Sequence, residues 1–287
     1  MSRKHNVPIY RTIYETLTQG IGQLAVDGVL IIGEHGNYPL NDKGQKLYPR
    51  FELFLEVADV FRQTGKAVPV YNDKHLSYSW LKAKRMVEIS RQMRFPMLAG
   101  SSVPVAFRVP LVDVPWGARV PHAAAIAFGG LEAYGFHMLE LIQAMVERRK
   151  GGEVGVSSVQ CLQGAAVWQF LDAKPWARTL LDAALARCMT RQSGNLREIV
   201  KRPAVFLVSY RDGLQAAGFM LSGAVKDDFA VAVAGQSAPI STLCRLMRKP
   251  YHQHFGCLIK NIEKMFETGT PPIPSSALCS QAEFSIS

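Results

Sequence analysis

The stretch VPVYNDKHLSYSWLKAKRMVEIS, residues 68–90, joins a short apolar strand to an amphipathic helix. Charged and titratable side chains collect at the junction, where Asp73, Lys74 and His75 directly follow the apolar run. Ligands of an open parallel sheet bind outside the carboxyl ends of the strands, because helix N-termini and loop amides converge there. The junction is therefore the first candidate for a functional site.

The same junction also has a purely structural interpretation. The junction begins with turn-forming residues. Ser77 or Ser79 would then serve as the N-cap of the following helix. In the functional interpretation, Lys74 donates to a substrate hydroxyl or shuttles its proton, and His75 acts similarly or positions a group. The local pattern leaves both interpretations open.

Strands and helices alternate on both sides of this junction. The segment RFELFLEVADVFRQTG places apolar residues on one helical face and ends at Gly65, a natural C-cap. Three apolar runs are typical of strands, namely GVLII (28–32), KAVPVYND (66–73) and FPMLAGSS (95–102). Strand, helix, strand, helix, strand with short links predicts a doubly wound parallel sheet.

The alternation stops after Val109. A long helix is predicted around residues 133–149, and a second helix over 168–189. Four later runs have strand length and are separated by Gly, Asp or Ser turns: SSVQCLQG, PAVFLVSYRDG, LQAAGFMLSG and DDFAVAVAGQ. We therefore predict an α/β protein, with a partial Rossmann-like parallel sheet in residues 1–109 and an α+β domain with a large, mostly antiparallel open sheet in residues 110–287.

Composition narrows the class of protein. The chain has 287 residues, of which 48% are hydrophobic, and a net charge of +10. The basic residues are dispersed and no nucleic-acid motif is present, so we expect no nucleic-acid partner. We expect no membrane span, no secretory signal and a cytoplasmic location. The five cysteines have no metal-ligand spacing, so reduced thiols and no metal are expected.

Two further loops follow predicted strands. Glu34 and His35 stand between glycines in GEHGNYP, where the backbone can approach a ligand closely or simply turn. The third strand end, AGSSVPVAFR, presents Ser101, Ser102 and Arg108, which suit an anion- or sugar-binding edge and equally suit a domain linker.

The long helix carries the remaining candidate, His137, in GGLEAYGFHMLELIQAM. His137 shares a helical face with Leu141 and Ala144, which favours a core or capping histidine when the pattern is taken alone. Glu132 and Glu140 are expected to be solvated.

These motifs together resemble the glucose-fructose oxidoreductase and inositol dehydrogenase family. Lys74 stands at the catalytic lysine of the family's Glu-Lys-Pro motif, and Gly135 and His137 match its Asp-x-Gly-x-His motif. The late segment MFETGTPPIP is similar to the family's last helix, glycine and Pro-rich turn. The resemblance implies NAD- or NADP-dependent chemistry on a sugar-like small molecule, with Lys74 and His137 as catalytic residues.

The resemblance also implies which residues line the cofactor side of the pocket and how the protein assembles. The cofactor-binding residues would be Glu34, His35, Asp73 and His75. Relatives of this family pack their second-domain sheets together, so a homo-oligomer formed through the C-terminal sheet is expected.

The chain departs from the family pattern at several positions. Asp73 and His75 replace the motif's glutamate and proline, and Ala133 stands where the family keeps an aspartate that assists proton transfer. There is no GxGxxG turn, and HNVPIYRTIYETL is similar to the family's stretch after its second or third strand, so the first βαβ unit is expected to be missing. The alternative hypothesis is therefore a catalytically impaired binding or assembly module that has lost dinucleotide binding. A carbohydrate lyase or isomerase that uses Lys74 as a base is also compatible with the residues.

Overall fold

The structure is a computed structural model that describes residues 2–33, 36–247 and 252–272. These residues form two compact units, one containing the chain up to Gly100 and the segment from Asn261, the other containing Ser101–Lys260. The sequence placed one division between residues 109 and 110. The structure differs because residues 107–109 pair with the sheet of the second unit.

The first unit is built around a small parallel sheet. Its elements are α1 (Ser2–His5), α2 (Ile13–Thr18), β1 (Val29–Ile31), α3 (Arg50–Thr64), β2 (Val70–Asp73), α4 (Trp80–Gln92) and β3 (Met97–Gly100). The strand order is β1-β2-β3, and both pairings are parallel. Every residue of β2 and β3 is buried, as expected for parallel strands covered on both faces. The predicted parallel sheet is confirmed.

Helix α3 shows why the sequence pattern was informative. Phe54, Val57, Ala58 and Phe61 are buried on the face that the periodicity predicted. The helix ends at Gly65 in the left-handed conformation, with φ of 67°, which a residue without Cβ adopts at no steric cost. Each fully buried phenylalanine contributes roughly 1.5–3 kcal/mol to stability.

The second unit contains a large mixed sheet. Its elements are β4 (Phe107–Val109), β5 (His122–Ala127), α5 (Leu131–Val146), β6 (Val156–Gln163), α6 (Ala165–Ala173), α7 (Pro175–Leu185), α8 (Leu196–Ile199), β7 (Ala204–Tyr210), β8 (Gln215–Met220), β9 (Phe229–Val233), β10 (Ile240–Arg245) and the beginning of α9 (Gln253–Thr268). The strand order is β4-β10-β9-β5-β8-β7-β6. All neighbours are antiparallel except β5 and β8, which confirms the predicted mostly antiparallel sheet.

Both faces at the centre of this sheet are covered by helices. Along β5, Ala123 and Ala125 pack in the cluster that contains α5, whereas Ala124 and Ile126 pack in the cluster that contains α6 and α7. Self-association through the C-terminal sheet stays a prediction. Among the described residues, the strands at the two ends of the sheet, β4 and β6, are better placed for it than the covered faces.

Two features of this unit differ from the sequence prediction. The sequence HAAAIA of β5 was missed because alanine is not a strand-favouring residue; here small side chains suit a strand packed between two helical layers. The single helix predicted over residues 168–189 is two helices, because the chain breaks at Lys174 and Pro175 begins α7.

The described part of the chain contains no helix long and apolar enough to cross a bilayer. The four cysteines of this part form no disulfide, and burial raises the pKa of the Cys244 thiol to about 12. Such a thiol is protonated and unreactive at neutral pH.

Candidate functional site

The carboxyl end of β2 carries a strained backbone conformation at Lys74. Its φ of 64° is in the left-handed region of backbone conformation. Residues other than glycine adopt this conformation at a cost of about 1–3 kcal/mol. The buried Asn72 side chain donates to the carbonyl oxygens of Asp73 at 3.3 Å and His75 at 3.2 Å, on either side of the lysine. The Lys74 N–H donates to the Gly100 carbonyl at 3.1 Å. Strain held in place by its surroundings is typical of functional sites.

The Lys74 side chain forms a well-shielded ion pair. Its Nζ lies 3.1 Å from Asp73 Oδ2, and the two side chains are 13% and 10% exposed. The Tyr71 hydroxyl donates to the Gly100 carbonyl oxygen at 2.7 Å and lies 3.2 Å from Asp73 Oδ1. Tyr71 therefore helps to fix the carboxylate that orients the ammonium group.

The structure brings the predicted residues Asp73, Lys74 and His75 together with two residues that the sequence analysis missed. Arg50 is 1% exposed, and its Nη1 lies 2.9 Å from His75 Nε2 and 3.3 Å from His75 Nδ1. The guanidinium stacks 4.2 Å from the centroid of the Tyr48 ring. The available signal was the segment LYPR, which puts a tyrosine and an arginine at the start of α3.

Glu34 and His35 lie outside the described residues. Their predicted role in cofactor binding stays a prediction, as does that of Asp73 and His75.

His137 belongs to the second unit, whereas Lys74 belongs to the first. It is half-buried on α5, and its ring contacts those of Tyr134, Phe136 and Phe229, with centroid distances of 6.1, 5.7 and 6.1 Å. These contacts suit the core-histidine interpretation and leave the catalytic one open. The pairing of His137 with Lys74 stays a prediction.

One carboxylate on α5 is buried against expectation. Glu132 is exposed, as predicted, but Glu140 is 4% exposed, so the prediction that it is solvated is wrong. The Glu140 carboxylate accepts hydrogen bonds from the Ser101 N–H at 2.8 Å and from the Ser101 hydroxyl at 2.5 Å. Bonds of this kind to a charged group offset the desolvation of the carboxylate and anchor α5 to the start of the second unit.

A second, partly buried carboxylate lies at the end of α5. Burial, the nearby charge of Glu153 and a hydrogen bond shared with Glu153 raise the pKa of Glu147 to about 8. Arg149 is almost fully buried, donates to Asp212 Oδ2 at 2.7 Å and stacks 4.8 Å from the ring of Tyr210. Glu147 is therefore largely protonated at neutral pH and is hydrogen-bonded to Glu153.

The glycine-rich segment of the described residues does not form the pyrophosphate-binding turn of a dinucleotide-binding fold. The segment GIGQLA, residues 20–25, matches the looser GxGxxA form of the glycine-rich turn. It follows α2 and precedes β1, whereas the fingerprint requires a strand before the turn and a helix after it. Gly20 and Gly22 have φ of 80° and 76°. A Cβ on either would meet no atom within 4 Å, so neither position needs glycine for the backbone to approach another group closely.

No family model and no curated protein matches the chain by sequence. Solved structures do match its fold. GenD2 from gentamicin A biosynthesis, in complex with NAD, has a TM-score of 0.62 and 12% identity, over 99% of this chain and 80% of that chain. UDP-N-acetylglucosamine 3-dehydrogenase GnnA from Acidithiobacillus ferrooxidans has a TM-score of 0.57 and 10% identity, over 99% and 82%. The myo-inositol 2-dehydrogenase from Lactobacillus plantarum has a TM-score of 0.56 and 9% identity, over 99% and 83%. The chain therefore has the fold of these dehydrogenases, which confirms the fold that the family resemblance implies.

Proposed function

We propose that the chain is an oxidoreductase that interconverts an alcohol and a carbonyl on a sugar, polyol or related hydroxy compound. The observation that carries the proposal is Lys74, which is held in a strained conformation and paired with Asp73 at the carboxyl end of a parallel strand. The shared fold with GnnA and the myo-inositol dehydrogenase, whose names specify sugar and cyclitol substrates, supports the substrate class.

Lys74 is the proton-transfer residue of the proposal. As an amine it takes the hydroxyl proton when the alcohol becomes a carbonyl, and as an ammonium it returns the proton in the reverse direction. Asp73, 3.1 Å from Nζ, orients the group and stabilises its charged form. His137 is proposed to assist this transfer.

The hydride carrier in this proposal is NAD or NADP. The described residues hold no recognisable pyrophosphate turn. The test is a fluorescence titration of the full chain with NAD(H) and NADP(H). Saturable binding supports the redox function, and its absence rejects that function for this chain.

The second candidate is a binding or assembly module of the same fold, and two observations favour it. Ala133 replaces the aspartate that the resemblance would place on α5, and the chain lacks GxGxxG. In this case Lys74→Ala leaves every measurable activity unchanged. A large loss of turnover in Lys74→Ala rejects the module and favours the enzyme.

A further inference from the structure

We propose that Tyr71 is a positioning residue for Lys74, because the Tyr71 hydroxyl and the Lys74 backbone N–H bind one and the same oxygen, the carbonyl oxygen of Gly100. The proposal rests on the proposed function for the part that Lys74 plays in proton transfer, but not for the arrangement of the backbone. It gives a buried tyrosine of β2 the task of holding the lysine in its strained conformation.

The Gly100 carbonyl oxygen joins the tyrosine to the lysine. It accepts the Tyr71 hydroxyl at 2.7 Å and the Lys74 N–H at 3.1 Å. A carbonyl oxygen has two lone pairs, so it accepts both hydrogen bonds at once. Asp73 Oδ1 lies 3.2 Å from the same hydroxyl, beyond the usual range for an O–H donor, so Gly100 is the better acceptor.

Gly100 is at a position where the backbone would otherwise be free to move. It is the last residue of β3, with φ of 136°, and glycine has access to more backbone conformations than any other residue. The pairing of β2 with β3 ends at Asp73 and Gly100, and the hydrogen bond from Lys74 comes one residue later. The hydroxyl of Tyr71, a side chain that is only 2% exposed, therefore fixes the acceptor at the end of the ladder.

The backbone on both sides of Lys74 is also held, which leaves its own N–H as the group that Gly100 controls. The buried Asn72 amide donates to the carbonyl oxygens of Asp73 at 3.3 Å and His75 at 3.2 Å. These bonds flank the left-handed residue without contacting it. The bond to Gly100 binds the residue itself, so its loss allows φ of 64° to relax toward an unstrained value.

Such a relaxation would move the reacting group. The Lys74 ammonium lies 3.1 Å from Asp73 Oδ2, and its direction follows from the backbone angles of Lys74. A proton-transfer group must lie within hydrogen-bond reach of the proton that it moves. Tyr71 acts on this geometry through Gly100 and needs no contact with the substrate.

The first test is an NMR measurement on the native protein. In both hydrogen bonds the proton lies about 2 Å from the shared oxygen, so the Tyr71 hydroxyl proton and the Lys74 amide proton should be within about 4 Å of each other. We expect a slowly exchanging Tyr71 hydroxyl proton that shows a nuclear Overhauser effect to the Lys74 amide proton. A hydroxyl proton that exchanges too fast to be seen, or one without this effect, overturns the proposal. This measurement needs no variant, ligand or activity.

The second test is amide hydrogen exchange in Tyr71→Phe, which removes the hydroxyl and keeps the buried ring. The Lys74 amide should exchange about tenfold faster, because its acceptor is no longer fixed. The Val70 amide, which donates to the Pro96 carbonyl at 2.9 Å in the same sheet, should keep its native rate. Tyr14→Phe, at an exposed tyrosine on α2, is the matched control and should equal the native protein at both amides.

Two results of this exchange experiment would refute the positioning role. One is an unchanged rate at Lys74 in Tyr71→Phe. The other is an equal acceleration at Lys74 and Val70, because a general loss of stability would then explain the change. If Tyr71→Phe does not fold, the native NMR measurement still decides.

Turnover separates this inference from the proposed function. If the chain oxidises a polyol, Tyr71→Phe should lower kcat by about 10–10²-fold and leave KM nearly unchanged, because a misplaced Lys74 impairs proton transfer rather than binding. A raised KM with kcat unchanged contradicts the positioning role. If the native chain binds no dinucleotide, the proposed function fails, while the NMR and exchange results still show whether Tyr71 holds Lys74 in place.

Discussion

The carboxyl pair of Glu147 and Glu153 makes the stability of the second unit depend on pH. In the folded protein the pKa of Glu147 is about 8, against an ordinary value of 4.5, with burial as the main cause and the charge of Glu153 as the next. The facing groups are Arg149, which lowers this pKa, and Tyr210 and Asp212, which complete the cluster. Glu147→Gln replaces the protonated acid with a neutral amide of the same shape.

The sign of the pH dependence of the free energy of unfolding follows from proton binding. Between pH 4.5 and about 8 the folded protein keeps a proton on Glu147 that the unfolded chain releases. The free energy of unfolding therefore falls as the pH rises through this window, and the contribution is fully present only below pH 4.5. At about 1.36 kcal/mol per pKa unit, the free energy of unfolding falls by roughly 5 kcal/mol over the whole window. Between pH 6 and 8 it falls by roughly 3 kcal/mol.

The assay is urea unfolding at pH 6 and pH 8.5, followed by tryptophan fluorescence. Three of the four tryptophans, Trp116, Trp168 and Trp176, lie in the second unit, so the signal reports mainly on that unit. The native protein should lose roughly 3 kcal/mol relative to Glu147→Gln over this range. Glu132→Gln, at an exposed position on the same helix, is the control and should keep the native slope. Equal pH slopes for the native protein and Glu147→Gln would refute the assignment of a raised pKa to Glu147.

Three further predictions concern packing, a buried hydrogen bond and assembly. Gly28→Ala should destabilise the first unit by about 1–3 kcal/mol in urea unfolding, because its Cβ would clash with the ring of Phe266; an unchanged midpoint contradicts this packing. Ser101→Ala removes the hydroxyl that donates to Glu140 at 2.5 Å and should cost about 1.5–3 kcal/mol in the same assay; a cost near zero would mean that the carboxylate is solvated. If copies of the chain pair along β6, an eight-residue edge strand without charged residues, then Gln160→Lys should shift the mass measured by sedimentation to that of a monomer; an unchanged dimer mass excludes β6 as the interface.

The parallel sheet could be predicted because local signals agreed with each other. The periodicity of α3, the glycine that ends it and the continuous apolar runs of β2 and β3 all depend on neighbouring residues. The junction after β2 was found for the same reason, since charge directly after a buried strand is visible in the sequence.

The rest of the site depends on contacts between residues distant in sequence. Arg50 meets His75 over 25 residues, and Ser101 meets Glu140 over 39 residues, and no local pattern encodes either contact. The left-handed backbone of Lys74 was equally hidden, because lysine is not a residue type that favours this conformation. Its cause is a tertiary arrangement of hydrogen bonds around the lysine.

The central claim is that Lys74 transfers the proton between an alcohol and a carbonyl. The most direct measurement is the rate of NAD(P)-linked turnover on a panel of sugars and polyols, compared among the native chain, Lys74→Ala and the control Lys84→Ala at an exposed position on α4. The account predicts that Lys74→Ala lowers kcat by about 10²–10⁴-fold while dinucleotide binding persists, and that Lys84→Ala equals the native chain. Turnover by Lys74→Ala at the native rate would contradict it.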